Sequence, residues 1–136
     1  MNKRKPLFIL ISDQLADQVH FAMMAASAAA AINRPVTLFF AKGAINTVIK
    51  NGWKKMIDRR GKSGTHMDKR LAARGVADMP VMMDACMAMN VRFLVCESSL
   101  KEEGLTSDDL IERPVVMISS MATILDEGEN CDWLKF

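Results

Sequence analysis

The fold class of this chain is decided by residues 7–40, which read LFILISDQLADQVHFAMMAASAAAAINRPVTLFF. Leu7–Ile11 is a continuous apolar run of strand length, and Val36–Phe40 is a second run of that length. Between the two runs, apolar residues recur at helical spacing, at Leu15, Val19, Ala22, Met23, Ala26 and Ala30. The tripeptide Asn33-Arg34-Pro35 predicts the end of that helix. A strand, a helix and a strand in this order predict a βαβ unit in a parallel sheet that is covered on both faces.

Strands and helices continue to alternate along the rest of the chain. We predict further strands over residues 92–96, 115–118 and 131–136. We predict a short apolar turn or helix over 43–49, and helices over 67–74, 79–89, 98–103 and 121–127. Ser12 or Asp13 is expected to cap the first helix and Ser119-Ser120 the last, while residues 61–66 read as the least structured stretch. This alternation predicts an α/β fold, a three-layer αβα sandwich with a mostly parallel sheet of four to five strands.

Length and composition predict one domain in a reducing compartment. The chain has 136 residues, half of them hydrophobic, which suits a single domain over residues 1–136. Three cysteines without a CxxC pair predict neither a disulfide framework nor a metal site, and they favour the cytoplasm. The longest apolar stretch, residues 21–32, is shorter than the roughly 20 residues that a membrane-spanning helix needs. Ser12-Asp13-Gln14 also interrupts the apolar run that follows the basic start of the chain.

Charge is distributed unevenly along the chain. Residues 50–77 hold nine basic and two acidic side chains, whereas residues 78–136 hold four basic and twelve acidic ones. The basic segment therefore reads as a loop or helix excursion that is solvated or that meets an anionic partner, including the acidic half of a neighbouring subunit. Trp53 among lysines is compatible with contact to a membrane surface. The acidic second half argues against nucleic acid as the main partner.

The ends of the predicted strands supply the candidate site residues. In parallel α/β sheets, ligands bind at the edge where the strands end, which we call the carboxyl edge. Cys96 ends one predicted strand and lies at the start of a helix, where free amide N–H groups stabilise a thiolate. A cysteine in this position is equally typical of a buried structural residue. Cys86 and Cys131 are expected to be structural, the first because it shares a helical face with several methionines.

A binding role without catalysis is the alternative at the same edge. Five residues are candidates for contacting a small anion or nucleotide there: Lys42, Gly43, Ser98, Ser99 and Ser119. The chain has neither the GxGxxG nor the GxxxxGK[ST] phosphate-binding motif, and its two histidines, His20 and His66, are far apart in sequence. We therefore expect no organic cofactor and no metal.

Three stretches add a resemblance to a known family. They are the first strand with its Ala-rich helix (residues 7–32), VTLFFAKGAIN (residues 36–46) and NVRFLVCESSL (residues 90–100). Together they resemble the DsrE/DsrF-like family, which consists of small α/β proteins of sulfur relay. The resemblance implies a Rossmann-like αβα sandwich that forms an oligomer. It also implies that Cys96 carries sulfur as a persulfide between a protein donor and a protein acceptor, in a sulfurtransferase or a sulfur carrier.

Overall fold

A computed structural model describes residues 4–136 of the chain, so the first three residues of its basic start lie outside the described part. The strands are β1 (Leu7–Ile11), β2 (Val36–Phe40), β3 (Arg92–Cys96), β4 (Val116–Ser119) and β5 (Asp132–Lys135). The α-helices are α1 (Ala16–Ala31), α2 (Gly64–Ala73), α3 (Met79–Ala88), α4 (Glu97–Glu102) and α5 (Met121–Glu127). Short 3₁₀ helices span Lys42–Val48, Trp53–Lys55 and Ser107–Asp109. The predicted α/β fold class is thereby confirmed.

The five strands form one parallel sheet in the order β4-β3-β2-β1-β5. The chain steps in one direction from β1 to β4, and it then crosses back to place β5 beside β1. Because parallel crossovers are almost always right-handed, the direction of a step decides which face of the sheet its connection covers. The single backward step therefore sends α5 to one face, and the earlier connections cover the other.

The two faces of the sheet differ greatly in the number of hydrophobic residues that are buried on them. On the face covered by α1 and α3, 25 buried hydrophobic residues form one cluster, which includes Ile9, Leu38 and Phe93. On the opposite face, which we call the α5 face, the buried cluster has six members: Phe8, Phe39, Ala41, Leu94, Cys96 and Ile124. The fold is thus a three-layer sandwich in which one helical layer is thin.

The start of α1 differs from the sequence-based expectation. The helix begins at Ala16, its N-cap position is Leu15, and no side chain caps it. Asp13 instead accepts a 2.8 Å hydrogen bond from the Leu15 amide, which closes a tight turn between β1 and the helix. The prediction that Ser12 or Asp13 caps α1 is therefore wrong, because the Asp13 carboxylate, two residues before the N-cap position, is engaged in this turn. The predicted C-terminal end is confirmed, since α1 stops at Ala31.

The basic segment is folded over most of its length. Residues 61–66 are not the least structured stretch, since α2 begins at Gly64 and the Ser63 hydroxyl caps it by accepting from the His66 amide. Met56 and Met67 are buried in the main core. The buried residues of this segment are few and irregularly spaced among exposed basic ones, so the sequence carries little local signal of its fold.

Trp53 and His20 are held by polar contacts inside the fold. The Trp53 indole N–H donates a 2.8 Å hydrogen bond to Asp68, whose other carboxylate oxygen accepts from the Met79 amide at 2.9 Å. Burial raises the pKa of Asp68, and these hydrogen bonds partly offset that effect. His20 is buried and its ring Nε2 donates to the Ala77 carbonyl at 2.7 Å. Both side chains therefore help to attach the basic segment to the rest of the fold.

Candidate functional site

Cys96 lies at the carboxyl edge of the sheet, as predicted. It is the last residue of β3 and the N-cap residue of α4, and it pairs with Ser119 of β4 in the sheet register. Helix α4 has only six residues, and the Cys96 side chain makes no capping hydrogen bond. The field of so short a helix is small, and Glu97 in its first turn opposes an anion.

The Cys96 side chain points to the α5 face and is 8 % exposed. Its buried cluster combines sheet residues with Ile124 of α5. Among the described residues, neither Ser98 nor Ser99 forms a hydrogen bond with its sulfur. The environment of the thiol is therefore mainly apolar, and a visiting thiol has little direct access to it.

Two lysines at the carboxyl edge, one on α4 and one in the turn after β2, are both paired with carboxylates. Lys101 lies 3.4 Å from Glu97 on the same helix, and Lys42 lies 3.2 Å from Glu102. All four side chains are largely exposed, so these pairs contribute little to stability. They nonetheless neutralise the local cations, and neither lysine supplies an unpaired charge to the thiol.

A polar cleft of about 340 Å³ opens at the same edge, between the turns that follow β1 and β2. Its polar lining consists of Gln14, Lys42, Gly43, Asn46, Lys55 and Glu103. Within residues 4–136, Lys55 forms no ion pair. The cleft thus offers one unpaired cation and two side-chain amides to an anionic ligand, and a volume typical of small-molecule sites.

The structure separates the five predicted binding residues into two groups. Lys42 and Gly43 line the polar cleft, whereas Ser98, Ser99 and Ser119 do not. Ser99 is buried behind the cleft, where its hydroxyl accepts from the Lys42 amide. Ser119 is the neighbour of Cys96 on the edge strand. The five residues therefore do not line one cleft together, and their role in binding stays a prediction.

Sequence reasoning missed Gln14, Asn46 and Lys55 as residues of the cleft. Gln14 and Asn46 follow strand ends within a few residues, so the carboxyl-edge rule was sufficient to include them. Lys55 comes from the basic segment and carries no local signal, because only the packing of the 3₁₀ helix Trp53–Lys55 places it there.

The other two cysteines occupy different environments. Cys86 is completely buried in the main core, and burial raises the pKa of its thiol to about 11. Cys131 is half-buried just before β5, so it lies at the edge where the strands begin. Its sulfur is 3.9 Å from the Glu127 carbonyl oxygen. Cys96 is thus the one thiol of the three at the carboxyl edge.

No cluster of three or more histidine, cysteine, aspartate or glutamate side chains with metal-binding geometry occurs between residues 4 and 136. Over the same residues, every helix is too short or too polar to cross a bilayer.

Comparisons with known proteins agree with this architecture. Two solved structures share the fold. The YchN protein of E. coli is 14 % identical to this chain, with a TM-score of 0.68. Protein MTH1491 of Methanobacterium thermoautotrophicum, described as of unknown function, is 15 % identical, with a TM-score of 0.61. Each match covers 98 % of this chain and 100 % of the other. No curated protein sequence matches the chain. The sequence profile of the DsrE/DsrF-like family matches residues 5–136, which is nearly the whole length. This chain therefore belongs to the DsrE/DsrF-like family.

Proposed function

We propose that this protein relays sulfur and that Cys96 is the residue that holds it. In the loading step, the Cys96 thiolate attacks the outer sulfur of a donor persulfide, R–S–SH. A new sulfur–sulfur bond forms at Cys96, the sulfur–sulfur bond of the donor persulfide breaks, and the donor leaves as the thiolate R–S⁻. In the unloading step, an acceptor thiolate attacks the outer sulfur of the Cys96 persulfide and regenerates the Cys96 thiolate. The outer sulfur changes carrier without net oxidation, so the relay needs no external oxidant.

The position of Cys96 at the carboxyl edge is the observation that carries this proposal. Family membership suggests a role connected with sulfur, and Cys96 ends a strand where sheets of this kind place their chemistry. Cys86 is a poor candidate because its raised pKa keeps it protonated and it has no exposed surface. Cys131 is more exposed than Cys96 but lies at the opposite edge of the sheet.

Persulfide loading tests the assignment directly. The protein is incubated with a low-molecular-weight persulfide, blocked with an alkylating agent and analysed by mass spectrometry of its peptides. We expect added sulfur on the Cys96 peptide of the wild type and of Cys131→Ser, and none at that position in Cys96→Ser. Sulfur that accumulates on Cys131 instead, or equally on all three thiols, contradicts the proposal.

The donor and acceptor in this proposal are proteins in the cytoplasm, and the chain acts as a carrier or as a sulfurtransferase. The two roles differ in whether transfer is accelerated. A sulfurtransferase in catalytic amount transfers sulfur from donor to acceptor faster than the two react directly, whereas a carrier delivers the sulfur loaded on it without accelerating that exchange. A time course with a catalytic amount of the chain, compared with the same mixture lacking the chain, distinguishes the two.

The polar cleft favours a second candidate function, the binding of a small anion or nucleotide. Its support is a cavity of about 340 Å³ whose lining includes the unpaired Lys55 and the amides Gln14 and Asn46, although Glu103 in the same lining opposes an anion. Thermal denaturation with inorganic phosphate, sulfate or ADP tests this function. Stabilisation that persists in Cys96→Ser and disappears in Lys55→Ala supports it. Lys54→Ala, an exposed neighbour outside the cleft, is the matched control.

A further inference from the structure

The α5 face carries Cys96, and one short helix covers it. Helix α5 has seven residues, of which six are exposed and only Ile124 is buried. A helix is about 10 Å wide, whereas five strands spaced about 4.8 Å apart span roughly 19 Å, so α5 covers about half of the face. A segment with so few buried contacts opens at a lower free-energy cost than the core of the same protein.

Ile124 is the residue of α5 that packs into the buried cluster containing the Cys96 thiol. It is 0 % exposed and belongs to the same buried cluster as Cys96. The remaining members of that cluster come from β1, β2, β3 and the residue after β2: Phe8, Phe39, Leu94 and Ala41. Ile124 is thus the one cluster member that does not belong to the sheet layer, and displacing it opens the cluster without breaking a strand.

The two ends of α5 are attached with different strength. At its C-terminal end, Glu127 pairs with Arg92 at 2.6 Å, and the Trp133 indole N–H donates a 3.0 Å hydrogen bond to the Gly128 carbonyl. Trp133 also packs so closely against Gly128 that a β-carbon there would overlap the ring. At the N-terminal end, the polar side-chain contacts join Ser120 only to Thr123 in the first turn of the same helix.

We propose that α5 is a gate over Cys96, held closed by Ile124 and hinged at Gly128 and Trp133. The N-terminal end of α5 follows β4 and therefore lies at the carboxyl edge, the same edge as Cys96. Lifting this end exposes the sulfur while the hinge stays in place. The inference rests on the proposed function in one respect: a protein donor or acceptor reaches the Cys96 sulfur only when α5 is displaced. The packing of Ile124 therefore determines whether a bulky partner, or only a small molecule, reaches the Cys96 sulfur.

Alkylation rates of the individual cysteines test the gate without requiring sulfur transfer. In a Cys131→Ser background, the protein is treated with iodoacetamide or with a polyethylene glycol maleimide of several kilodaltons. Modification of each remaining cysteine is followed by mass spectrometry. Ile124→Ala removes most of the side chain that is proposed to hold α5 closed. Leu125→Ala, which truncates an exposed neighbour on the same helix, is the matched control. Cys86 reports global unfolding, because it is fully buried on the opposite face.

We expect Ile124→Ala to accelerate the reaction of Cys96 with the bulky reagent at least about tenfold, because Ile124 is the one residue of α5 that is buried in the cluster containing Cys96. Ile124→Val is expected to increase the alkylation rate of Cys96 by a smaller factor. Leu125→Ala is expected to leave the Cys96 rate unchanged, and the Cys86 rate is expected to stay unchanged in every variant. Equal Cys96 rates in Ile124→Ala and Leu125→Ala overturn the gate, and so does a parallel rise at Cys86 in both isoleucine variants. A gated Cys96 that never takes up sulfur refutes the relay and leaves the gate standing.

Discussion

The backbone amide of Lys42 donates a 2.8 Å hydrogen bond to the hydroxyl of Ser99. Lys42 occupies the left-handed region with a φ of 50°, and Ser99 is only 3 % exposed. The bond joins the turn after β2 to the first turn of α4, so one contact connects the polar cleft with the helix that begins at Cys96. This hydrogen bond therefore connects the two candidate sites, although the polar cleft and the Cys96 sulfur lie in different places.

We predict that Ser99→Ala destabilises the protein by about 1–3 kcal/mol, because the partly buried Lys42 amide loses its acceptor. Urea denaturation checks this through a lower midpoint at an unchanged slope. Ser98→Ala removes an exposed hydroxyl with no such role, and its midpoint is expected to match the wild type within about 0.5 kcal/mol. Equal stability of the two variants contradicts the proposed contribution of the Lys42–Ser99 hydrogen bond.

The second prediction concerns the pH dependence of stability. Burial by itself raises the pKa of Asp58, but hydrogen bonds from the Lys62 and Arg60 amides and the charge of Arg70 outweigh it, so the pKa is lowered. A carboxyl group with a lowered folded-state pKa contributes stability above its unfolded pKa of about 3.9, and this contribution is lost as the pH falls through the folded value.

Asp58→Asn is therefore expected to be less stable than the wild type near pH 7, and the difference is expected to shrink below about pH 4. Urea denaturation at a series of pH values measures both curves. Asp108→Asn, at an exposed position, serves as the control. A stability difference that stays constant down to pH 2 shows that Asp58 acts through packing and not through its charge.

The third prediction tests the hinge of α5. Gly128→Ala places a β-carbon against the Trp133 ring, and we expect a loss of about 1–3 kcal/mol from overpacking. A lower thermal midpoint together with altered tryptophan fluorescence checks the effect at this contact. Asn130→Ala, at an exposed position two residues later, is expected to leave both signals unchanged. An unperturbed Gly128→Ala variant means that α5 is not anchored there.

The fourth prediction is that the chain associates with a second copy of itself through β4. This strand has a partner on one side only, and Val115 and Met117 are 73 % and 58 % exposed. No charged residue occurs from Pro114 to Leu125, so a two-fold pairing of β4 with its copy brings no like charges together. The other edge strand, β5, carries Asp132 and Lys135, which disfavour head-to-tail pairing between the two edges.

Light scattering across a concentration series checks the association. We expect Met117→Lys to raise the dissociation constant at least about tenfold, because it places two like charges across the pairing axis. Val81→Lys, at an exposed apolar residue on α3, is the matched control and is expected to associate like the wild type. A wild-type chain that is monomeric at high micromolar concentration contradicts the prediction.

Local sequence signals predicted much of the fold. The runs at β1, β2 and β3 have the predicted bounds, β4 is shifted by one residue, and β5 is one residue shorter at each end. These runs are recognisable because a strand buried on both faces must be apolar throughout. The start of α1 was predicted incorrectly, and the reason is also local. The Asp13 carboxylate accepts from the Leu15 amide in a tight turn and does not cap the helix.

The candidate site was less accessible to such reasoning. Cys96 was placed correctly at the end of β3, because a strand end is a property of the local sequence. Its neighbours were not: Lys42 and Lys101 pair with glutamates on α4, and Lys55 enters the cleft from the basic segment. Such pairings depend on the packing of elements that are distant in the chain, which residue spacing does not encode.

By itself, the sequence determined the alternation of strands and helices, and with it a parallel sheet whose carboxyl edge holds a cysteine, because apolar period and strand ends are local properties. Only the tertiary structure decided that Cys96 is buried and that Ile124 belongs to the same buried cluster. The physical reason is the backward step from β4 to β5, which places one short helix alone on the α5 face and brings together two residues 28 positions apart in the chain.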